Sequence, residues 1–203
     1  MAQFKFIDPA WVGLQAWSDS ATVQNLPMGI LATAQDLTGG FGVFQYVRGH
    51  TVSTAAAQGE IVRFVPGVTG TYLATATTGS ISSLPWTASS GDPYQVCQAG
   101  TAHTGSKFNV GLVGAALSNT NVYGWVQVAG VADYARVSNT TTAAGNDLFL
   151  GSTLGRMHNT AGATGYRLSN ISVVCWGTDT ANTGSVTVAL NFPSFPGTPY
   201  NTT

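Results

Sequence analysis

Charged side chains are scarce in this sequence. Of its 203 residues, 7 are Lys or Arg and 8 are Asp or Glu, so charged residues make up 7% of the chain, whereas an ordinary soluble domain holds about 25%. The net charge of −1 and the scattering of the basic residues argue against binding to nucleic acid, because phosphate recognition needs clustered Lys and Arg. A protein so close to zero net charge tends to associate, so we expect partners to cover much of its surface.

Long apolar runs and closely spaced cysteines are also missing. No stretch approaches the roughly 18 consecutive apolar residues of a membrane span, and residues 1–9 lack the basic and apolar regions of a signal peptide. We therefore expect no membrane partner and synthesis in a cytoplasm. Cys97 and Cys175 are too few and too far apart for a disulfide scaffold or a Cys-x-x-Cys metal site. Two buried free thiols are favoured, and a single disulfide between them is the alternative.

Residues that favour helices are rare as well, and this sets the fold class. The chain has one Glu and two Lys, while Gly, Thr, Val and Ser, which populate strands and turns, are abundant. Short strand patterns separated by Gly or Asn predict an all-β fold, an antiparallel β-sandwich or barrel-like domain. Apolar and polar residues alternate most clearly at residues 185–192, and residues 41–48 resemble a central strand that pairs with residues 59–65. Further strands are predicted at residues 71–75, 110–116, 122–128, 131–137 and 171–176.

The predicted organisation is a single β domain with three less regular segments. Residues 1–27 carry aromatic side chains with weak periodicity and are interpreted as an extended N-terminal arm, or else as an edge strand with a loop. The β domain covers residues 28–192 and includes a long excursion from the sheet at about residues 78–106, which is rich in Ser, Gly and Thr. Prolines extend the C-terminal tail, residues 193–203.

Catalytic and metal-binding patterns are absent from the sequence. It contains neither a Gly-x-Ser-x-Gly turn nor a Gly-x-x-x-x-Gly-Lys-Ser/Thr loop. The three histidines stand in turn-like contexts without a ligand-spaced partner, so each is interpreted as a solvent-facing loop residue. They are His50, His103 and His158. Glu60 is expected to pair with Arg63 or Arg48 rather than to catalyse. The sequence thus predicts no enzyme, no cofactor and no metal.

Aromatic residues in the irregular segments are the candidate contact residues, because loops and arms commonly carry binding and assembly. The predicted interface residues are Phe4, Phe6, Trp11, Trp17, Trp86 and Tyr94. Trp11→Ala or Trp17→Ala is expected to weaken assembly and to leave the β fold intact. Tyr123, Trp125 and Trp176 lie within strand patterns, where packing in the core is favoured over stacking on sugars.

Two groups of short motifs resemble a known class of proteins. The first group is residues 26–30 (Leu-Pro-Met-Gly-Ile), Asp36, residues 39–40 (Gly-Gly) and residues 44–49 (Phe-Gln-Tyr-Val-Arg-Gly). The second group is residues 110–116 (Val-Gly-Leu-Val-Gly-Ala-Ala), residues 123–130 (Tyr-Gly-Trp-Val-Gln-Val-Ala-Gly) and residues 143–148 (Ala-Ala-Gly-Asn-Asp-Leu). Their order and spacing resemble small structural proteins of tailed bacteriophages, of the capsid decoration or head-associated type. The likeness covers about residues 26–75 and 106–160. Asn146 departs from it by lengthening the usual Gly-Asp turn by one residue.

The resemblance implies a function and supplies no catalytic residue. It implies an all-β homo-oligomer, expected to be a trimer, that binds the major capsid protein on the outer surface of the virion. Such a decoration or cement protein stabilises the shell by bridging capsid subunits. The alternative is a head-fibre or receptor-binding module whose Ser-, Thr-, Asn- and Trp-rich loops recognise host-surface glycan. A β-rich hydrolase, the third class, would need a nucleophile or paired acids to converge in space.

Overall fold

The computed structural model describes residues 4–7, 15–36, 40–49, 55–65, 95–99, 108–117, 122–138, 140–142, 144–151, 153–159, 167–175, 177–179 and 185–195. Within these ranges the chain forms strands, turns and isolated bridges, and no helix. The all-β prediction is therefore confirmed. The described residues also include no helix that could cross a membrane.

The described residues form thirteen strands, many of them built from the β-branched and aromatic residues that suit a pleated, half-buried surface. The strands are β1 (Phe4–Phe6), β2 (Leu31–Asp36), β3 (Phe41–Gly49), β4 (Ile61–Val65), β5 (Gln95–Gln98), β6 (Phe108–Val113), β7 (Tyr123–Arg136), β8 (Thr140–Thr142), β9 (Phe149–Leu150), β10 (Met157–His158), β11 (Ser169–Cys175), β12 (Gly177–Asp179) and β13 (Ser185–Phe195). The predicted strand at residues 71–75 lies outside the described residues.

Nine of these strands form one mixed sheet, in the order β1-β2-β3-β5-β4-β6-β7-β13-β11. β3 also pairs with β7, so the pairings that run from β3 through β5, β4 and β6 to β7 return to β3 and close a ring of five strands. The predicted antiparallel arrangement holds for these pairs except β3 with β5, which is parallel. Two further two-stranded sheets, β10-β9 and β12-β8, complete the described strands.

The position of strand β5 shows that two predictions from the sequence are wrong. It lies between β3 and β4, so residues 59–65 do not pair with residues 41–48. It also belongs to the segment interpreted as an excursion from the sheet. Val96 and Cys97 are each only 2% exposed, and this burial holds β5 in the sheet. A strand of four residues among small polar ones has too little alternation to be recognised from its pattern.

Strand β7 is a single strand of 14 residues, although the sequence predicts two strands divided near Gly130. Gly130 has a φ of 94° but does not end the strand, because it pairs with Gly42 of β3 and with Leu190 of β13. Register shifts lie on either side of it, at residues 127–129 in the pairing with β3 and at residues 132–135 in the pairing with β13. A Cβ atom at this position would lie 1.9 Å from the carbonyl oxygen of Phe41 on β3. Glycine is therefore required here both by the backbone conformation and by the close approach of the neighbouring strand.

Hydrogen bonds of the buried Gln127 side chain stabilise the irregular part of β7. Its amide nitrogen donates to the carbonyl oxygens of Ala129, at 3.2 Å, and Val131, at 3.1 Å. Its amide oxygen accepts a hydrogen bond from the Tyr134 hydroxyl at 2.6 Å. Burial raises the pKa of Tyr134 well above its usual value, with Asp133 adding to the effect. The neutral phenol is therefore the state that donates to Gln127.

Strand β13 confirms the predicted alternation of buried and exposed side chains as far as Leu190. Val186, Val188 and Leu190 are buried as predicted. Phe192 should continue this row but is 53% exposed, because its φ of 49° breaks the regular alternation. The strand continues to Phe195, past the predicted start of the tail at residue 193.

Two hydrophobic cores lie on the two faces of the sheet. The larger core includes Phe44 and Tyr46 of β3, together with Trp125 of β7. The smaller core consists of Val47, Ala56, Val62, Val96, Val113, Leu117, Val122, Val126 and Val128. Because side chains alternate along a strand, β3 and β7 contribute residues to both cores.

The described part of residues 1–27 lies against the sheet, so an extended arm is not confirmed. β1 pairs with β2 at the edge of the sheet. Gln15 is buried, and its amide oxygen accepts hydrogen bonds from the Tyr46 hydroxyl at 3.0 Å and the Asn25 side chain at 3.2 Å. The alternative interpretation, an edge strand with a loop, describes these residues.

Candidate functional site

Three of the predicted interface residues pack in or against the larger core. Phe4 is 6% exposed, and its ring centroid lies 5.4 Å from that of Trp17 and 5.2 Å from that of Phe44, in edge-to-face contacts. Trp17 is 5% exposed. Phe6 is partly buried, and its ring centroid lies 4.6 Å from that of Trp125. These three rings pack within the protein, where the sequence predicts contact with a partner.

The remaining predicted interface residues, Trp11, Trp86 and Tyr94, lie outside the described residues. The burial of Phe4 and Phe6 has a signal in the sequence, because they alternate with Lys5 as in a half-buried strand. Trp17 has no such signal. It lies in a turn, and only the fold brings its ring within 5.2 Å of that of Tyr134 on β7.

The aromatic residues considered for glycan stacking are divided between the core and its margin. Trp125 is fully buried, which confirms its assignment to the core. Tyr123 is partly buried, and its ring stacks on that of Tyr46 at a centroid distance of 6.3 Å. Trp176 lies outside the described residues. The buried Trp125 ring is not accessible for stacking on a sugar, and the Tyr46 ring covers one face of Tyr123.

His158 lies in β10 and is partly buried, so the interpretation as a solvent-facing loop residue is wrong. Its Nε2 atom lies 2.6 Å from the Ser138 hydroxyl oxygen, and burial lowers the pKa of its imidazole. The ring passes so close to Gly151 that a Cβ atom there would lie 2.5 Å from the His158 ring. Ser138 is only 2% exposed, so its hydroxyl is enclosed and not presented as a nucleophile. The other histidines, His50 and His103, lie outside the described residues.

Glu60 is buried at the centre of a polar cluster. Its carboxylate accepts hydrogen bonds from the Ala57 backbone N–H, at 2.9 Å, and from the Gln98 side chain. Its Oε1 atom lies 3.6 Å from Nε of Arg156 and 4.0 Å from Nη1 of Arg136. The predicted ion pair with Arg63 or Arg48 is therefore wrong, because the fold brings two arginines from distant parts of the chain to Glu60.

The two cysteines are free thiols and differ in exposure. Cys97 is buried, as predicted, and burial raises the pKa of its thiol although Arg63 Nε lies 3.1 Å from the sulfur. Cys175 is exposed, so the prediction of two buried thiols is wrong for this residue. Among the described residues, no group of three or more His, Cys, Asp and Glu side chains is arranged to hold a metal ion.

Four large apolar side chains are exposed on or beside four neighbouring strands. They are Ile7, Leu31, Phe41 and Val131, which we call the outer patch. Their exposed fractions are 47%, 49%, 54% and 43%. Ile7 directly follows β1, and the other three belong to β2, β3 and β7. These strands are consecutive neighbours through the β1–β2, β2–β3 and β3–β7 pairings.

Strand register places the outer patch on one face of the sheet. Ala32 of β2 pairs with Phe44 of β3, and both face the larger core. Since side chains alternate, Leu31 and Phe41 point to the opposite face, on which Val43 and Val47 of β3 pack in or against the smaller core. The same reasoning applies to Val131, because Ala132 faces the larger core.

The surroundings of the outer patch are polar and mostly uncharged. Thr33 lies next to Ile7, since the Ile7 N–H donates to the Thr33 carbonyl oxygen at 3.0 Å. Gln35 pairs with Phe41, and Gln45 pairs with Leu31. Lys5 of β1 pairs with Gln35, which pairs with Phe41. Because Lys5 alternates with Phe4 and Phe6, which pack on the larger core, this exposed charged residue lies on the same face as the patch. Solvent-facing strand surfaces are normally polar, so this face has the chemistry of a contact surface.

Comparison with known proteins gives no match to this chain among family models, curated proteins or solved structures.

Proposed function

We propose that this chain is a structural protein of a bacteriophage head, a decoration or cement protein on the outer surface of the capsid. In this role it bridges subunits of the major capsid protein and associates with copies of itself. It is made in the host cytoplasm and resides in the virion. The motif resemblance at residues 26–75 and 106–160 supports the proposal, and the surface of the fold supplies an independent physical argument.

The observation that carries the proposal is the presence of exposed apolar side chains at both edges of the nine-stranded sheet. The outer patch extends from β1, one edge strand, while Val174 lies on β11, the other edge strand, and is 48% exposed. Phe192 on the adjacent β13 is also exposed. A protein that bridges subunits needs at least two separate contact surfaces, and these positions supply them.

The low charge of the chain suits this role. Ion pairs on a surface are screened by salt over about 10 Å at 0.1 M, whereas apolar and hydroxyl or amide contacts depend far less on ionic strength. With 7% charged residues, contacts made by this protein would survive large changes in salt. This is a useful property for a particle that is released into variable surroundings.

The described polar clusters support a non-catalytic role. The Ser138 hydroxyl is buried beside His158. The Glu60 carboxylate accepts two hydrogen bonds and forms ion pairs with arginines. Each arrangement joins separate segments of the fold and offers no open reacting group. The proposal therefore includes no reaction and no cofactor.

Quantitative mass spectrometry of purified particles tests the proposed function. The measurement is the copy number of this chain relative to the major capsid protein. A ratio near one, or a simple fraction of it, is expected. A few to some tens of copies would instead indicate a fibre or vertex protein, the alternative function, and absence from particles would overturn both. Particles lacking this chain are also expected to lose their genome at a lower temperature than complete particles.

A further inference from the structure

We infer that Arg136 and Arg156 together form a binding site for a small oxyanion, a phosphate or a carboxylate group. Charged residues are scarce in this chain, yet both arginines lie within 4.0 Å of one oxygen atom, Oε1 of Glu60. Three observations support the site: an excess of positive charge, hydrogen-bond donors that Glu60 does not use, and the exposure of Arg136. The site does not require that the protein is on a virion.

The cluster carries an excess of one positive charge. Two guanidinium groups face one carboxylate, and among the described residues no other acidic side chain forms an ion pair with either of them. Arg167, by contrast, lies 2.7 Å from a carboxylate oxygen of its own partner, Asp147. Charges attract more strongly where water is partly excluded, so the excess charge favours an anion. One excess charge suits a single anionic group and not a nucleic acid, whose binding needs many basic residues.

The guanidinium groups keep hydrogen-bond donors that Glu60 does not use. The ion-pair distances to Oε1 are 3.6 Å from Arg156 Nε and 4.0 Å from Arg136 Nη1, and both exceed the length of a hydrogen bond. Arg156 Nη1 is buried and has no hydrogen-bond partner within the described part of the chain. The other carboxylate oxygen, Oε2, accepts from the Ala57 N–H and the Gln98 side chain. The arginine donors are therefore available to an oxyanion, whose oxygen atoms match the planar guanidinium group.

The fold positions both arginines, and Arg136 makes the cluster accessible. The Arg136 side chain is 36% exposed, whereas that of Arg156 is 13% exposed. The Arg136 N–H donates to the Gly59 carbonyl oxygen at 2.8 Å, and the Ile61 N–H donates to the Gly155 carbonyl oxygen at 2.9 Å. These bonds hold the backbone of each arginine next to the segment that carries the carboxylate. Because the two groups are positioned before binding, the ordering cost of binding is small.

Urea unfolding in the presence of phosphate tests the inference. The unfolding free energy is measured at neutral pH in sodium phosphate and in sodium chloride of equal ionic strength. A ligand that binds only the folded chain raises it in proportion to the logarithm of its saturation, which yields the dissociation constant. The matched variants are Arg136→Gln and Arg167→Gln, which remove the same charge from side chains of similar exposure, 36% and 40%.

We expect saturable stabilisation by phosphate for wild type and for Arg167→Gln. For Arg136→Gln we expect an increase of at least about tenfold in the dissociation constant, because charge-assisted hydrogen bonds are lost. The general stabilising effect of phosphate on proteins is common to all variants and does not saturate, so it cancels in the comparison. Arg136→Lys retains the charge beside Glu60 but lacks the planar group. It should also weaken binding, and it provides a second test if Arg136→Gln does not fold.

Sodium acetate, titrated in the same way, distinguishes the two kinds of oxyanion. Tighter binding of phosphate identifies a phosphate ligand, and acetate binding of equal or greater strength identifies an acidic side chain of a partner protein. The absence of saturable stabilisation of wild type by both anions would overturn the inference. So would equal weakening by the Arg136 and Arg167 substitutions. The particle copy number remains a separate measurement, so failure of this site and failure of the proposed function are distinguishable.

Discussion

The Ser138 hydroxyl oxygen lies 2.6 Å from Nε2 of His158, and this hydrogen bond joins the segment after β7 to β10. The backbone N–H of Ser138 also donates to the carbonyl oxygen of Met157 at 2.8 Å. Ser138 and Met157 are buried, and His158 is partly buried. The imidazole is therefore part of the internal structure, and its protonation state affects the stability of the fold.

Stability should decrease on acidification through His158. Burial lowers the pKa of this imidazole in the folded chain, so the fold favours its neutral form. The resulting stabilisation is fully present above the pKa of the unfolded chain, about 6.5, and is lost as the pH falls toward the folded value. In urea unfolding between pH 8 and pH 5, His158→Gln should show a smaller loss of stability than wild type. An identical pH dependence in both proteins would contradict this role of His158.

Trp17→Ala should destabilise the fold, contrary to the sequence-based expectation that it affects assembly alone. Trp17 is 5% exposed and contacts the rings of Phe4, Phe44 and Tyr134. Removal of a buried aromatic ring typically costs about 3 to 5 kcal/mol of unfolding free energy. Val23→Ala, at an exposed position, should change stability by less than about 0.5 kcal/mol. Equal denaturant midpoints for the two variants would show that the Trp17 ring is not part of the core.

The variants Gly130→Ala and Gly145→Ala distinguish two causes of lost stability. Both substitutions strain the backbone, but only Gly130→Ala also creates a steric clash. Both glycines have positive φ, 94° and 83°. A Cβ atom at Gly130 would lie 1.9 Å from the Phe41 carbonyl oxygen, whereas one at Gly145 has no neighbour within 4 Å. We expect a loss of about 1 to 2 kcal/mol for Gly145→Ala and at least about 3 kcal/mol for Gly130→Ala. Similar losses in chemical denaturation would mean that β3 and β7 do not approach so closely.

Glu60→Gln should cost far more stability than loss of an exposed ion pair. The Glu60 side chain is 9% exposed and that of Arg156 is 13% exposed, so the substitution leaves a largely buried guanidinium without its counter-charge. Such a change typically costs about 3 kcal/mol or more. The matched control is Asp147→Asn, which breaks the 2.7 Å ion pair with Arg167, whose side chain is 40% exposed; its expected cost is below about 1 kcal/mol. Comparison of the two unfolding free energies checks the prediction, and a Glu60→Gln loss no larger than that of the control would contradict it.

The sequence predicts those features of the fold that depend on neighbouring residues. The scarcity of helix formers predicts the all-β class, and alternation predicts that Val186, Val188 and Leu190 are buried. The failures involve contacts between distant parts of the chain. The position of β5 between β3 and β4 cannot be predicted from the residues of β5 alone, because the strands that pair in a sheet depend on the whole topology.

The same distinction applies to the candidate site. Trp17 lacks a periodic context, so its burial becomes visible only when β7 lies beside it in the fold. The arginines that surround Glu60 follow it by many residues, whereas the nearer Arg63 instead contacts Cys97. The outer patch combines one residue from each of three strands with Ile7, which follows a fourth, and these residues are far apart in the sequence. A surface assembled in this way cannot be found before strand order and register are known.

The closed ring of β3, β5, β4, β6 and β7 has a consequence for the order of folding. β7 begins at Tyr123 and pairs with β3, which ends at Gly49, so ring closure requires a long loop and is slow compared with formation of local hairpins. During synthesis the ring cannot close until β7 has left the ribosome. Until then β3 and β6 expose unpaired backbone, so truncation before β7 should yield an aggregating chain rather than a smaller folded domain.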